Sequence, residues 1–404
     1  MKFSKLSQLF LVSAIGLILA TFLTACQLVT IDFVFVAASA GTSAGSAGQI
    51  YTYAVDSESG ALRTGDPVVS SGGTKPVAMA VDGAYTDLYV ANAGNNSVVH
   101  FSIAGSGAIT QKDTITTAKT PVSLAVNPAG TYLYVVSGTT SATLTEYSLS
   151  SGAIGSAAAT ITLAVPSPNS GDTLIPTGVN SLANGDAVYV TAYDQSAYNP
   201  GGVTTSSANP GWLFGYAVGS GGALSPVAGS PYEAGVKPSS LVSDPTNRFV
   251  YVNDFASNEL IGYIVQSNNS LDFMINGPFK TGNEPSSIYI DPRGLYIYVS
   301  NLLDSSVSAY SIALPTGTPS TIVSATASAG NSTDTQPVGI IVEPALGRYV
   351  YTANYLGNSI SGFRLNPNTG SLTETQATPY PTGANPAAVI AVPHGNHAVQ
   401  IVTP

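Results

Sequence analysis

The apolar positions of this chain fall in short runs, and the runs repeat in a fixed order. One kind carries an aromatic between apolar residues, with the aromatic at Phe35, Tyr89, Tyr134, Tyr189, Tyr251, Tyr298 and Tyr351, spaced by 54, 45, 55, 62, 47 and 53 residues. A second aromatic follows in each unit, at Tyr53, Phe101, Tyr147, Tyr216, Tyr263, Tyr310 and Phe363. A proline opens a third run ahead of each Tyr, at Pro76, Pro121, Pro176, Pro238, Pro285, Pro337 and Pro386. Many units close on Gly-Ala/Ser-Leu/Ile, as at Gly60-Ala61-Leu62, Gly107-Ala108-Ile109, Gly222-Ala223-Leu224 and Gly370-Ser371-Leu372. Runs this short, rich in Val, Ile and Tyr and bounded by turn residues, read as strands. Turns such as Asp291-Pro292-Arg293-Gly294 carry the residues that type I turns favour.

Each unit therefore predicts four strands: the proline-led run, the Tyr-Val run, the run with the second aromatic, and the run after Gly-x-Leu. Four strands per 45 to 60 residues, repeated, is the pattern of a propeller blade. The expected fold is an all-β, seven-bladed β-propeller of four-stranded antiparallel blades spanning residues 32–404, its ring closed by N- and C-terminal strands. The first unit has no proline-led strand of its own, and the C-terminal runs Ala387–Val392 and Ala398–Val402 complete it. Phe33–Val36 and Ala398–Val402 compete for one position in that blade. Asn92, Asn253, Asn301 and Asn354 follow the Tyr-Val runs, where Asn side chains bond nearby backbone and shape loops, so they read as scaffold.

Composition adds to this picture. Charged residues make up 8% of the chain, far below an average domain, which suits strands and turns rather than long surface helices. The formal charge of −10 excludes nucleic acid as a partner, since phosphate binding needs clustered Lys and Arg. Residues 1–26 place Lys2 and Lys5 before an apolar run that ends in small residues, the layout of an export signal. Leu23-Thr24-Ala25-Cys26 resembles the lipobox of bacterial lipoproteins, which implies lipidation of Cys26, the only cysteine. The expectation is a bacterial cell-envelope protein, lipid-anchored through Cys26 with residues 27–31 as a short tether. Gln27 resembles the residues that permit outer-membrane sorting in Gram-negative cells.

The Pro-led strand, the Tyr-Val-x-Asn run and the Gly-x-Leu close together resemble the lactonase family of seven-bladed propellers, whose named member is 6-phosphogluconolactonase. They also resemble the bacterial surface propellers called YVTN repeats. The lactonase resemblance implies hydrolysis of a sugar lactone, and a Pro-Arg-His stretch at the start of a mid-chain blade. Here that place reads Lys237-Pro238-Ser239-Ser240, so only the proline corresponds; Asp254 matches an acidic residue after the next Tyr-Val-Asn. Under this resemblance Glu284 and Asp254 are the candidates for general acid/base work, with Lys237 polarising the carbonyl.

The remaining chemistry is sparse. Lys75, Lys119, Lys237 and Lys280 all lie in loops leading into first strands, so they form a cationic ring on one face, able to attract an anionic ligand. Residues 193–211 are the longest insertion, expected over that same face, and Tyr193, Asp194, Tyr198 and Trp212 could stack on a sugar or peptide. His394 and His397 read as an exposed turn rather than a metal pair. His100 falls in a strand, and Gly41-Thr42-Ser43-Ala44-Gly45 matches the nucleophile-elbow pattern without its strand–helix context. No metal spacing or cofactor motif occurs. Two functions fit: a membrane-anchored binding module using the loop face for a protein or glycan, favoured by the absent Arg-His pair and the anchor, and alternatively a lactone hydrolase.

Overall fold

The computed structural model describes residues 29–395 except 44, 66, 166–172, 196–197, 200–201, 204–210 and 323–330; for 198–199 and 202–203 it describes the backbone alone. The leader, Cys26, Ala398–Val402 and His397 thus lie outside the described residues. Seven antiparallel sheets form seven blades. Blades 2 to 7 begin with the innermost strands Pro76–Val81, Pro121–Val126, Leu174–Ser181, Pro238–Ser243, Pro285–Ile290 and Pro337–Val342. Their second strands are Asp87–Asn92, Tyr132–Ser137, Ala187–Asp194, Phe249–Asp254, Tyr296–Asn301 and Tyr349–Asn354. The outermost strand is unbroken in blades 2 and 3. In blades 4 to 7 it is split, as in Leu271–Phe273 and Phe279–Lys280.

Blade 1 closes the ring. Ala384–Pro393 is its innermost strand and pairs with Thr30–Ser39, which pairs in turn with Ala47–Asp56. Phe33–Val36 therefore takes the contested position, with Phe35 opposite Ile390. The first strand starts at Thr30, inside the stretch read as a tether, because Ile31 is already core.

The second strands are buried along nearly their whole length, Asp87, Tyr132 and Tyr193 being half-buried, since each has a blade on either side. Alternate residues serve alternate neighbours: Phe249 and Tyr251 pack with Ile288, Ile297 and Val299 of blade 6, whereas Val250 and Val252 pack with Leu182, Tyr189 and Leu213 of blade 4. The period of two is present, but both faces are apolar.

The recurring tyrosines reach further. The Tyr89 hydroxyl donates to the Gly152 carbonyl, Tyr189 to Asn269, Tyr251 to Gly317, Tyr298 to Gly370 and Tyr351 to Gly60, at 2.5–2.8 Å. Each acceptor is in the last turn of the next blade around the ring, and each has a left-handed φ of 63–81°. At Gly370 a Cβ would also lie 2.3 Å from the Tyr296 ring, so both the dihedral and the close approach require glycine. Tyr134 is the exception. Beside it lies the buried carboxyl of Glu146, which burial pushes up to about 7.

A second closure element lies on the underside of the ring. Asp32, in the strand that closes blade 1, and Glu343, in the first turn of blade 7, are both fully buried. Glu343 accepts the amides of Leu346 at 2.8 Å and Arg348 at 2.6 Å. Burial, then the Glu343 charge and a hydrogen bond to it, push the Asp32 carboxyl up to about 10; the Ala345 amide offsets part of this. Burial also raises Glu343. Burial and the neighbouring Glu343 therefore favour the protonated form of Asp32 at the blade 1–blade 7 seam.

Two outcomes follow from these seams. Tyr298→Phe leaves the Gly370 carbonyl buried and unpaired and lowers unfolding free energy by about 1–3 kcal/mol in urea titrations; Gly370→Ala costs at least as much. A Phe variant as stable as the parent would mean that the tyrosines recur for packing alone. For the carboxyl pair the sign is set by Asp32, which titrates near 3.9 in the unfolded chain. Between that value and about 10 the folded protein holds a proton that the unfolded chain has lost, so the pair's contribution weakens the fold as pH rises. Below the lower value the penalty vanishes. Asp32→Asn should gain in urea midpoint over the parent between pH 6 and pH 9; parallel curves would mean that Asp32 ionises as an ordinary carboxyl.

Candidate functional site

The start of each innermost strand and the end of each second strand share one face, as in the pairing of Pro238 with Asp254. Around the central channel this face presents two positions per blade. In blades 2 to 7 one is the residue before the innermost strand, which is a pre-proline residue in all but blade 4; the other is the residue that follows the second strand. The backbone ties them: Ala93 N–H donates to the Lys75 carbonyl, Phe255 to Lys237, Leu302 to Glu284 and Tyr355 to Gln336, at 2.7–2.9 Å. The preceding blade fixes the same rim. The Glu284 amide donates to Asn258 Oδ1 at 2.8 Å, and the Asn385 amide donates to Asn358 Oδ1 at 2.9 Å. Lys75, Glu284, Gln336 and Asn385 all hold φ of 51–58°, a left-handed conformation that side chains other than glycine adopt at a cost.

Lys237 and Glu284 take equivalent rim positions on adjacent blades, each directly before the innermost strand. The Lys237 ammonium lies 4.2 Å from the Phe255 ring centroid and 5.6 Å from that of Tyr193. Burial lowers its pKa, and the Glu284 carboxylate offsets part of that shift. A cation against two aromatic faces, with an acid in its field, can stabilise an oxyanion while the acid handles a proton. Below them the innermost strands are polar: Ser239 Oγ donates to the Pro285 carbonyl at 2.6 Å and Ser286 Oγ to Pro337 at 2.7 Å. The corresponding residues in the other blades are Val77, Val122, Thr177, Val338 and Ala387, so the hydroxyl-bearing arc of the channel runs over blades 4 to 6.

Other residues singled out in the sequence have different surroundings. Asp254 is buried, and its oxygens accept the amides of Val236 at 2.8 Å, Lys237 at 2.9 Å and Ala256 at 3.2 Å. It braces the loop that carries Lys237 and does not face the mouth as an acid or base. Asp194 is likewise buried and accepts the Thr173 amide at 3.2 Å. Trp212 is core, packed with Val188, Val190 and Tyr216, so it does not overhang the face. The cationic ring is uneven. Lys119 is spent on the Ser141 carbonyl at 2.8 Å and Lys280 on Glu259 at 2.7 Å, while Lys75 is exposed. Asn92, Asn301 and Asn354 bond neighbouring backbone or serines, for example Asn354 Nδ2 to Ser359 and Ser361 at 3.0 Å. His100 is buried between Asp87 at 2.7 Å and Asp113 at 3.2 Å. Among the described residues no group of three or more His, Cys, Asp or Glu side chains is placed to hold a metal.

Phe255, Leu302 and Tyr355 escaped the sequence reading. The signal was available: each directly follows the repeated Asn or Asp, at one register position per blade.

Comparison with known proteins agrees with this architecture. No curated protein matches the chain by sequence. Among solved structures, the periplasmic gluconolactonase of Pseudomonas aeruginosa superposes with a TM-score of 0.73 at 14% identity, covering 90% of this chain and 99% of that one. A candidate 6-phosphogluconolactonase from Bacteroides uniformis gives 0.72 at 16%, covering 90% and 100%. A functionally unknown protein from Desulfotomaculum acetoxidans gives 0.62 at 14%, covering 92% and 100%. At these identities the likeness concerns the fold. The family model for lactonase, 7-bladed beta-propeller, matches residues 67–170 and 228–398, more than half the chain, and the protein therefore belongs to the lactonase family of seven-bladed β-propellers.

Proposed function

We propose that the protein hydrolyses a lactone at the channel mouth of blades 5 and 6. The observation that carries this reading is the partly desolvated Lys237, stacked on Phe255 and Tyr193 with Glu284 as its neighbouring charge. In this mechanism Glu284 takes a proton from water as the oxygen attacks the lactone carbonyl, and the Lys237 ammonium stabilises the oxyanion. Collapse of the tetrahedral intermediate breaks the bond to the ring oxygen, which receives the proton from Glu284 and leaves as a hydroxyl. The product is the open hydroxy acid. Asp254 serves by holding the Lys237 backbone.

An uncharged sugar lactone suits this mouth better than a phosphorylated one, because among the described residues no Arg or His joins Lys237 there to take a phosphate. The likeness to a periplasmic gluconolactonase supports the same choice. It also supports a location outside the cytoplasm, where the lipobox-like Leu23–Cys26 would provide a lipid anchor. A second reading, a binding module working through this face, draws on the exposed Leu303, Tyr355 and Leu356 in the loops of blades 6 and 7.

Rates with glucono-1,5-lactone in a pH-stat, less the buffer blank, test the hydrolase. Glu284→Gln and Lys237→Met should each lower kcat about 100-fold or more, with unchanged circular dichroism. Because burial lowers the Lys237 pKa, activity should fall with rising pH before an ordinary lysine would lose its proton, and Lys237→Arg should remove that alkaline limb. Turnover equal to the blank across a panel of lactones would leave the binding module. The anchor is tested separately: Cys26→Ala should move the protein from the membrane to the soluble fraction, and unchanged fractionation would rule out the lipid.

A further inference from the structure

We propose a second binding site on the same face, at the seam of blades 7, 1 and 2, that takes the carboxylate of a sugar acid. A cavity of about 270 Å³ opens there, close to the lower end of small-ligand pockets. Its only charged lining residue is Lys75. Around Lys75 are the hydroxyl-bearing Ser39 and Thr42 and the amide of Asn385, with the exposed ring of Tyr355 at one side. In a chain of formal charge −10 this is a local reversal of sign, with hydroxyl groups and an aromatic ring in place of carboxylates. That chemistry selects a carboxylate on a polyol: the ammonium takes the anion, the hydroxyls and amide take ligand hydroxyls, and the phenol ring takes a C–H face.

The lysine is pre-positioned. Its carbonyl accepts the Ala93 amide at 2.9 Å, and the neighbouring Thr74 amide donates to Asn95 Oδ1 at 3.1 Å. Its φ of 51° is a conformation that glycine would take at no cost. Lys119, near the start of the innermost strand of blade 3, is engaged by Ser141, and Lys280 lies not in an entry loop but in the outermost strand of blade 5, paired with Glu259, whereas Lys75 has no ion pair among the described residues. Lys237, three blades away, belongs to the mouth described above. This site does not depend on lactone hydrolysis, since its readout is binding.

Two sources would present such a ligand: a free aldonate, or a uronate within a glycan. Titration calorimetry on the purified chain compares gluconate, methyl glucuronide and neutral methyl glucoside. At least one acid should bind at about millimolar Kd, with the glucoside at least tenfold weaker. Lys75→Met should weaken binding at least tenfold, Lys75→Arg should largely retain it, and Tyr355→Ala should weaken it several-fold. Lys112→Met, on the exposed outermost strand of blade 2, should leave it unchanged, which shows that the Lys75 effect is not one of net charge. Binding of gluconate alone points to a free aldonate, and binding of the glucuronide alone to a glycan. Equal binding of the glucoside, indifference to Lys75→Met, or no binding of either acid at about 50 mM would overturn the proposal.

Discussion

The fold depends on a hydrogen bond that five of the seven blades send to the next, Phe35 and Tyr134 being the exceptions. A tyrosine buried in the second strand reaches the last turn of the neighbouring blade, and that turn can receive it only because a left-handed glycine, or once Asn269, brings backbone up to the ring. With one cysteine in the chain there is no internal disulfide to hold the ring, and ion pairs are few. Apolar packing between blades is extensive but unselective. The hydroxyl-to-carbonyl bond gives each interface a fixed height and angle, since it is worth most when made and costs most when buried and unmade. Repetition of one interface around a circle then closes the ring without an open edge.

The same repetition creates the site. Each of blades 2 to 7 delivers one residue before its innermost strand and one after its second strand to the channel rim, tied by a backbone bond that does not depend on the side chains carried. The rim is thus a set of interchangeable positions on a constant frame, which is how function is grafted onto a fold. In this chain the charged choices are Lys75, Lys237 and Glu284, and they divide the rim into two regions. Lys237 and Glu284 sit beside each other over the polar arc of the channel, and Lys75 stands apart over a hydroxyl-lined cavity.

The sequence made the blades legible because their cause is local. A Tyr-Val run, a proline-led run and a Gly-x-Leu turn carry their strand and turn preferences wherever they occur, and seven copies average out accidents. The competition between Phe33–Val36 and the chain's last run was not legible, as it is settled by which segment pairs with Ala47–Asp56 across the whole length of the chain. The site was half legible. Lys237 and Glu284 could be chosen from their place before a proline. Trp212 and Asp254 could not be excluded, since burial and the three amides around Asp254 arise from loops that only the folded ring brings together. Asp32 gave no signal at all: an acid beside an apolar strand is ordinary until Glu343 arrives from the far end.

The course of the first strand has a directional consequence. Thr30 pairs with Asp56 at the bottom of blade 1, and Ser39 reaches the rim beside Ala384. The polypeptide therefore enters the disc from below, on the side away from the channel mouth. The strand that opens the ring thus begins on the face opposite Lys75, Lys237 and Glu284 and ends among them, so the rim receives the chain only after the first strand is already paired on both sides.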